Sequence, residues 1–247
     1  MPDERTTYCK NCQSEISGNY CFNCGQRTSV HEVTFKETFQ DIMSSLFSLD
    51  APILKTLGLL FSNPGKLFRR YLSGQRKRYY KPVTFFILTT VVFLLFRWLL
   101  DYNPMIDAEK NTSTPEAAKF LIDAGRLMFS NIDKMLFLFV FSLAISMKLF
   151  FYRKNTLAEF VAISFYMLGA YTLLSTINMF VFTFVKNIFQ PISRIFMFFY
   201  FIWAMVSYFE ERKLLVFFKS ILTTVFGFAL YVVLGLGLAF IIILIGT

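Results

Sequence analysis

From residue 83 onward the chain alternates long apolar runs with more polar breaks. Five runs reach the ~20 residues that cross a bilayer as helix: Val83 to Leu100, Ile132 to Tyr152, Leu157 to Val185, Ile188 to Phe209 and Leu214 to Ile245. The third and fifth exceed that length, which predicts tilt or an interfacial start. Upstream, the pattern changes to an amphipathic helical one. Thr34 and Glu37 form a capping box, and Phe35, Phe39, Ile42, Met43, Leu46 and Phe47 lie on one stripe. Asp50 caps a second helix with Pro52 in its first turn and Ile53, Leu54, Leu57, Leu60 and Phe61 apolar, too short to span. A third helix over residues 64 to 73 sets Leu67, Phe68, Tyr71 and Leu72 against Lys66, Arg69 and Arg70, with Gly74 as its stop. Its pattern predicts an interfacial helix with its apolar side in the headgroup boundary and its cations toward anionic lipid.

Charge placement orients the spans. Between Lys66 and Lys81 stand seven basic residues, Lys66, Arg69, Arg70, Arg76, Lys77, Arg78 and Lys81, with no acidic one. Directly before the first span, such a run points to a cytoplasmic position and contact with anionic headgroups rather than with nucleic acid. The stretch Asp101 to Asn131 holds five carboxylates against Lys110, Lys119 and Arg126 and is expected outside, whereas Arg153 with Lys154, and Glu210 to Lys213, return inside. The turn near Lys186 and Arg194 falls outside and weakly opposes the rule. The N-terminus is then cytoplasmic and the C-terminus outside, in a bacterial inner membrane. A composition that is 55% hydrophobic, with 33 Phe among 247 residues, agrees with a membrane protein. The net charge of +9 is explained by topology. The first thirty residues hold no apolar run of signal-peptide length.

The polar N-terminus carries all four cysteines, Cys9, Cys12, Cys21 and Cys24, as two Cys-x-x-Cys pairs. Each pair can present two thiolates from one tight turn, and two such knuckles close a tetrahedral site around Zn²⁺. Four thiolates also suit iron, and a dithiol redox pair is the other alternative. No redox partner or cofactor segment accompanies them, so structural zinc is the expectation, in a reducing compartment. A closed four-thiolate site leaves no position for water and is not catalytic. So short a segment has no core of its own, and metal ligation would supply its folding energy, roughly 10–16 kcal/mol by analogy with zinc fingers. Gly25 suits the left-handed conformation that the turn demands, while Gln13 in the matching place must accept strain or a variant turn. The loop Gln13 to Asn19 is the part expected to touch a partner.

Chemistry is otherwise sparse. His31 is a linker residue, and no phosphate loop, no nucleophile with a base and no dense set of embedded acids is present, so no catalytic residue is assigned and an enzyme is not expected. Arg97, Lys134, Lys148, Glu159 and Lys219 lie near span ends, where snorkelling accounts for them. Tyr171, Thr172, Ser175, Thr176 and Asn178 make a polar patch on the third span. With Arg194, the residues Tyr171, Ser175 and Asn178 form a candidate polar cavity, against the plainer reading that hydroxyls glue helices together. Ser142 with Ser146, and Gly227, Gly235 and Ala239, fit the same packing rule.

The order Cys-x-x-Cys, Gly-Asn-Tyr-Cys-x-x-Cys-Gly-Gln, Leu-Lys-Thr-Leu and Asn-Pro-Gly-Lys-Leu-Phe-Arg-Arg-Tyr-Leu, before a first span, resembles an uncharacterised bacterial family of zinc-ribbon-headed multi-pass membrane proteins, a domain of unknown function. The likeness covers residues 9 to about 90, and Gln13 departs from the Gly usual there in such ribbons. The five-span, N-inside plan is also similar to Yip-type trafficking proteins, in architecture only. The expected fold is an all-α membrane protein: a zinc ribbon over residues 1–28, cytoplasmic or interfacial amphipathic helices over 29–81, and a five-span bundle over 82–247. The function expected is non-enzymatic, a cytoplasmic zinc-ribbon head that docks a cytosolic protein or anionic lipid at the membrane. The rival is a homo-oligomeric channel, pore or transporter, such as a membrane effector of an antiviral defence system, with the ribbon as regulator.

Overall fold

A computed structural model of the chain describes residues 8–16, 18–28, 53–102, 116–184, 192–210 and 213–246. The capping box at Thr34, the stripe from Phe35 to Phe47 and the Asp50 cap lie outside the described residues. Among the described residues, eight α-helices follow in order: α1 Ile53–Ser62, α2 Pro64–Leu72, α3 Pro82–Leu99, α4 Glu116–Ser130, α5 Ile132–Phe150, α6 Leu157–Phe184, α7 Ile192–Tyr208 and α8 Lys213–Gly246, with a 3₁₀ turn at Arg76–Arg78 before α3. No strand is formed among the described residues beyond isolated bridges in the cysteine head.

Among the described residues, three segments are long and apolar enough to cross a membrane, Arg76–Leu99, Leu157–Phe184 and Lys213–Leu244, as in a membrane protein. The other two expected spans are helical but weaker by the same physical measure. α5 has 19 residues and carries Asp133, Lys134 and Lys148, and the described part of α7 has 17.

α6 is apolar all round, and a helix of that kind belongs in the middle of a bundle. It is buried without a break from Phe160 to Ala170 and packs against α3, α5 and α7. Small residues set the closest approaches. A Cβ on Gly169 of α6 would stand 2.6 Å from the Phe85 ring of α3, and one on Gly227 of α8 would meet the Leu143 backbone of α5 at 3.4 Å. Between α3 and α6 the Thr172 hydroxyl donates to that of Thr89 at 2.9 Å. α8 closes the bundle against α5 and α7, yet only 17% of its apolar window is buried, so most of its surface is left for lipid.

The helix over residues 64 to 73 forms as expected, but its apolar side does not face lipid. Asn63 caps it by accepting from the Lys66 N–H at 3.0 Å. Leu67, Phe68 and Tyr71 are buried, with Phe68 and Tyr71 both against the ring of Tyr166 on α6. The bundle itself thus supplies the apolar partner that the amphipathic pattern assigned to the bilayer. Gly65 packs so closely that a Cβ there would lie 2.0 Å from the Ser207 carbonyl oxygen at the end of α7. The Gly65 N–H donates to the Ser207 hydroxyl at 3.2 Å. Arg69 completes the junction, donating from one terminal nitrogen to the carbonyls of Ser207 at 2.6 Å and Tyr208 at 2.8 Å, and pairing through the other with Glu210 at 2.8 Å.

A second departure lies between the first two spans. The stretch expected as an outer loop contains α4, whose Ala124 is fully buried and whose Met128 packs against Gly235 of α8. Its apolar positions recur at helical spacing, but fifteen residues with charged neighbours fall below the length of a span and give no membrane signal.

Because the atoms facing Gly65 are backbone, Gly65→Ala has no side chain to push aside. The variant is expected to lose about 3 kcal/mol or more, a drop of roughly 6–12 °C in the melting temperature of the detergent-solubilised protein. Gly58→Ala on α1, where nothing lies within 4 Å, is the control and is expected to be neutral or slightly stabilising. Equal melting temperatures for the two variants would refute the junction.

Candidate metal centre

The two cysteine pairs fold into two copies of one turn. In the first, the Cys9 N–H donates to the Ser14 carbonyl and the Gln13 N–H to that of Cys9, both at 2.8 Å. In the second, Cys21 donates to Gln26 at 2.7 Å and Gly25 to Cys21 at 2.8 Å. An antiparallel bridge flanks each turn, Tyr8 with Glu15 and Tyr20 with Arg27. Gln13 sits at φ 64° and Gly25 at φ 67°, so Gln13 takes the left-handed conformation outright, at about 1 kcal/mol for a residue with a Cβ. The equivalence has a sequence signal that the spacing argument passed over: Tyr8-Cys9-Lys10-Asn11-Cys12 recurs as Tyr20-Cys21-Phe22-Asn23-Cys24.

The turns bring all four sulfurs within 4.8 Å of one another. Cys9 and Cys24 stand 3.6 Å apart, as do Cys12 and Cys21. A tetrahedron with ~2.3 Å metal–sulfur bonds has edges of about 3.8 Å, so the set fits a four-thiolate ion. A disulfide needs about 2.05 Å, and the four thiols are free. The Asn23 amide donates to Ser14 Oγ at 2.8 Å and joins the two knuckles. Ser14 Oγ is also 3.3 Å from Cys12 Sγ. This hydroxyl pulls the Cys12 thiol down to about 6, whereas burial pushes that of Cys9 up to about 11. A bound ion would act here as a cross-link, with every ligand position filled by sulfur.

The head does not stand apart from the membrane domain. Gln26 is 6% exposed; its side-chain amide donates to the Gly74 carbonyl, and its oxygen accepts from the Lys77 N–H at 3.4 Å. Gly25 faces Lys77, whose Cε would be 4.0 Å from a Cβ at that position. The second knuckle therefore rests on the basic segment. A four-thiolate zinc cluster carries net negative charge, and cations there complement it. Nothing in the local pattern around Gln26 points to Gly74, although Gln26 closes the Cys-Gly-Gln run.

The remaining candidate residues are distributed as follows. Lys66, Lys77 and Arg78 are exposed on the basic segment. Arg70 donates to the Tyr79 hydroxyl at 3.2 Å, Arg69 is held by the α7 C-terminus, and Arg76 and Lys81 are partly buried. On α6, Tyr171, Ser175 and Asn178 share one face and are half-buried, and the Ser175 hydroxyl is buried without a hydrogen-bond partner. Arg194 falls in the first turn of α7, with its side chain outside the described residues. Ser142 and Ser146 donate back to the carbonyls of Leu138 and Ser142 within α5, a packing arrangement.

Comparison with known proteins is narrow. Residues 50–94 match a family model described as a protein of unknown function, DUF3667. The matched stretch contains α1, α2, the basic turn and most of α3, and it excludes the cysteines. No curated protein and no solved structure matches the chain.

Zinc uptake must displace protons from the thiols. With Cys12 at about 6, a plot of log affinity against pH is expected to gain one unit of slope as pH falls through that value, since one more proton must then leave. Affinity therefore rises with pH. Competition titration with a chromogenic chelator checks this, and Ser14→Ala, which removes the hydroxyl, should move the break upward. An unchanged break in that variant would remove Ser14 from the account.

Proposed function

We propose that this chain is a non-enzymatic integral protein of the bacterial inner membrane whose N-terminal zinc ribbon serves as a cytoplasmic docking head. In this reading the bundle has five spans, with α5 and α7 crossing beside α3, α6 and α8, and the C-terminus lies outside. The observation that carries it is the seat of the head. Gln26 fastens the second knuckle to the basic segment, while Tyr8, Tyr20 and Phe22 stay 60%, 64% and 79% exposed. Large apolar side chains held outward on a metal-stapled turn are suited to meeting a cytosolic protein. Lys66, Lys77 and Arg78, exposed on the basic segment, are suited to anionic headgroups. The orientation is supported by charge. Arg153, Lys154 and Lys213 join the basic segment at the end of the bundle where α5 stops and α6 and α8 begin. Such a run can also hold nucleic acid, but its place at the foot of α3 favours lipid.

A pull-down from native membranes, comparing the intact chain with one lacking residues 1–28, tests the reading. A soluble protein recovered only with the intact chain, and lost again in Phe22→Ala, is the expected result. Identical recoveries from both chains, with membrane permeability altered by both, would overturn docking and favour the homo-oligomeric channel or pore.

A further inference from the structure

A cavity of about 580 Å³ opens at the end of the bundle beside the junction of α2 and α7, within the size range of small-ligand pockets. Among the described residues, three cations, Arg69, Lys154 and Lys219, line it against one carboxylate, Glu210. That carboxylate is already paired with Arg69 at 2.8 Å. The rest of the lining is mainly apolar, including Phe151, Phe209, Leu215 and Val216.

Lys219 is the residue that the docking reading leaves without a task. It stands six residues into α8, ~9 Å along the helix from its start, between the lipid-facing Phe218 and Leu222. Its ammonium is not at the surface of the head but turned to the α5 end, where it donates to the Phe150 carbonyl at 3.2 Å and lies 5.7 Å from the centre of the Phe151 ring. An ammonium has three donors, and a phosphate oxygen in the cavity offers them a further acceptor. Lys154 lines the same cavity from the connection between α5 and α6.

The pocket thus combines excess positive charge, a floor of aromatic and aliphatic carbon, and a mouth at helix ends, where lipid headgroups reside. We infer that it binds the phosphate of an anionic phospholipid, the phosphate held by Lys154 and Lys219 and the glycerol end of the chains against Phe151, Phe209 and Leu215. This site is separate from the exposed basic segment of the docking reading, but rests with it on this end facing an anionic leaflet.

The test uses the full chain in detergent, read by melting temperature and by native mass spectrometry with phosphatidylglycerol, phosphatidylcholine or inorganic phosphate as probe. Phosphatidylglycerol is expected to bind and stabilise, phosphatidylcholine and inorganic phosphate to do neither. Lys154→Gln with Lys219→Gln should weaken phosphatidylglycerol binding about thirtyfold, while Lys154→Arg with Lys219→Arg retains most of it and shows that the fold survives at these positions. In the basic segment, Arg76→Gln, Lys77→Gln and Arg78→Gln together should leave this binding intact. Equal binding of the two lipids, or undiminished binding in the double Gln variant, overturns the site. Equivalent stabilisation by inorganic phosphate that is lost in the double Gln variant overturns the lipid assignment and makes the ligand a soluble phosphate. Loss of phosphatidylglycerol binding in the basic-segment variant alone overturns the pocket while sustaining the docking reading.

Discussion

The last carbonyls of a helix have no partner within it, and where a second helix packs on them another donor must serve. The end of α7 meets that constraint with Arg69, whose guanidinium takes the Ser207 and Tyr208 carbonyls and holds Glu210 by its other arm. It can do so because Gly65 lets α2 lie directly on the α7 backbone, and because Asn63 accepts from both the Lys66 N–H and the Ser207 hydroxyl. Asn63, Pro64, Gly65 and Arg69 therefore act as a single device. It fixes α2, and through α2 the basic turn, the seat of the cysteine head and one wall of the cationic cavity.

The same physics recurs at other helix ends. Lys148 donates to the carbonyls of Tyr152 and Asn155, both at 2.8 Å, and so closes the turn after α5. Arg97 donates to the Phe129 carbonyl at 3.2 Å and lies 4.0 Å above its ring. Glu159 accepts from the Thr156 N–H at 2.8 Å while Thr156 Oγ1 accepts from Glu159 at 3.3 Å, a capping box at the start of α6. Charges that hydropathy treats as tolerated exceptions near span ends are thus the groups that satisfy backbone where lipid cannot. The two tyrosines that pin the preceding segment work likewise: Tyr166 donates to the Tyr80 carbonyl and Tyr200 to that of Leu60 at 3.2 Å.

This arrangement bears on what the head is for. The cysteine cluster meets the rest of the protein through the buried Gln26, which binds the Gly74 carbonyl and the Lys77 N–H. Were a metal bound by the four thiols, its loss would alter the charge facing Lys77. Head and membrane domain share one surface at this end of the bundle, which is where a partner, a headgroup and the metal would all act.

Local chemistry fixed much of this in advance. The apolar runs place α3, α6 and α8 to within a residue or two, because the cost of burying polar groups in lipid leaves little freedom in where a span ends. Paired cysteine spacing picks out the four thiols that cluster, and Asn63 and Gly74 mark the limits of α2, since these depend on a few neighbouring residues. What the sequence could not decide is what covers each face. The stripe of Leu67, Phe68 and Tyr71 declares that one side of α2 is buried, yet a bilayer and the ring of Tyr166 satisfy that pattern equally well. Gly65 against Ser207, Gln26 against Gly74, Met128 against Gly235 and the cavity shared by Lys154 and Lys219 each bring together residues far apart in the chain. Periodicity records that a side chain needs a partner; only the packing of helices in three dimensions chooses which one.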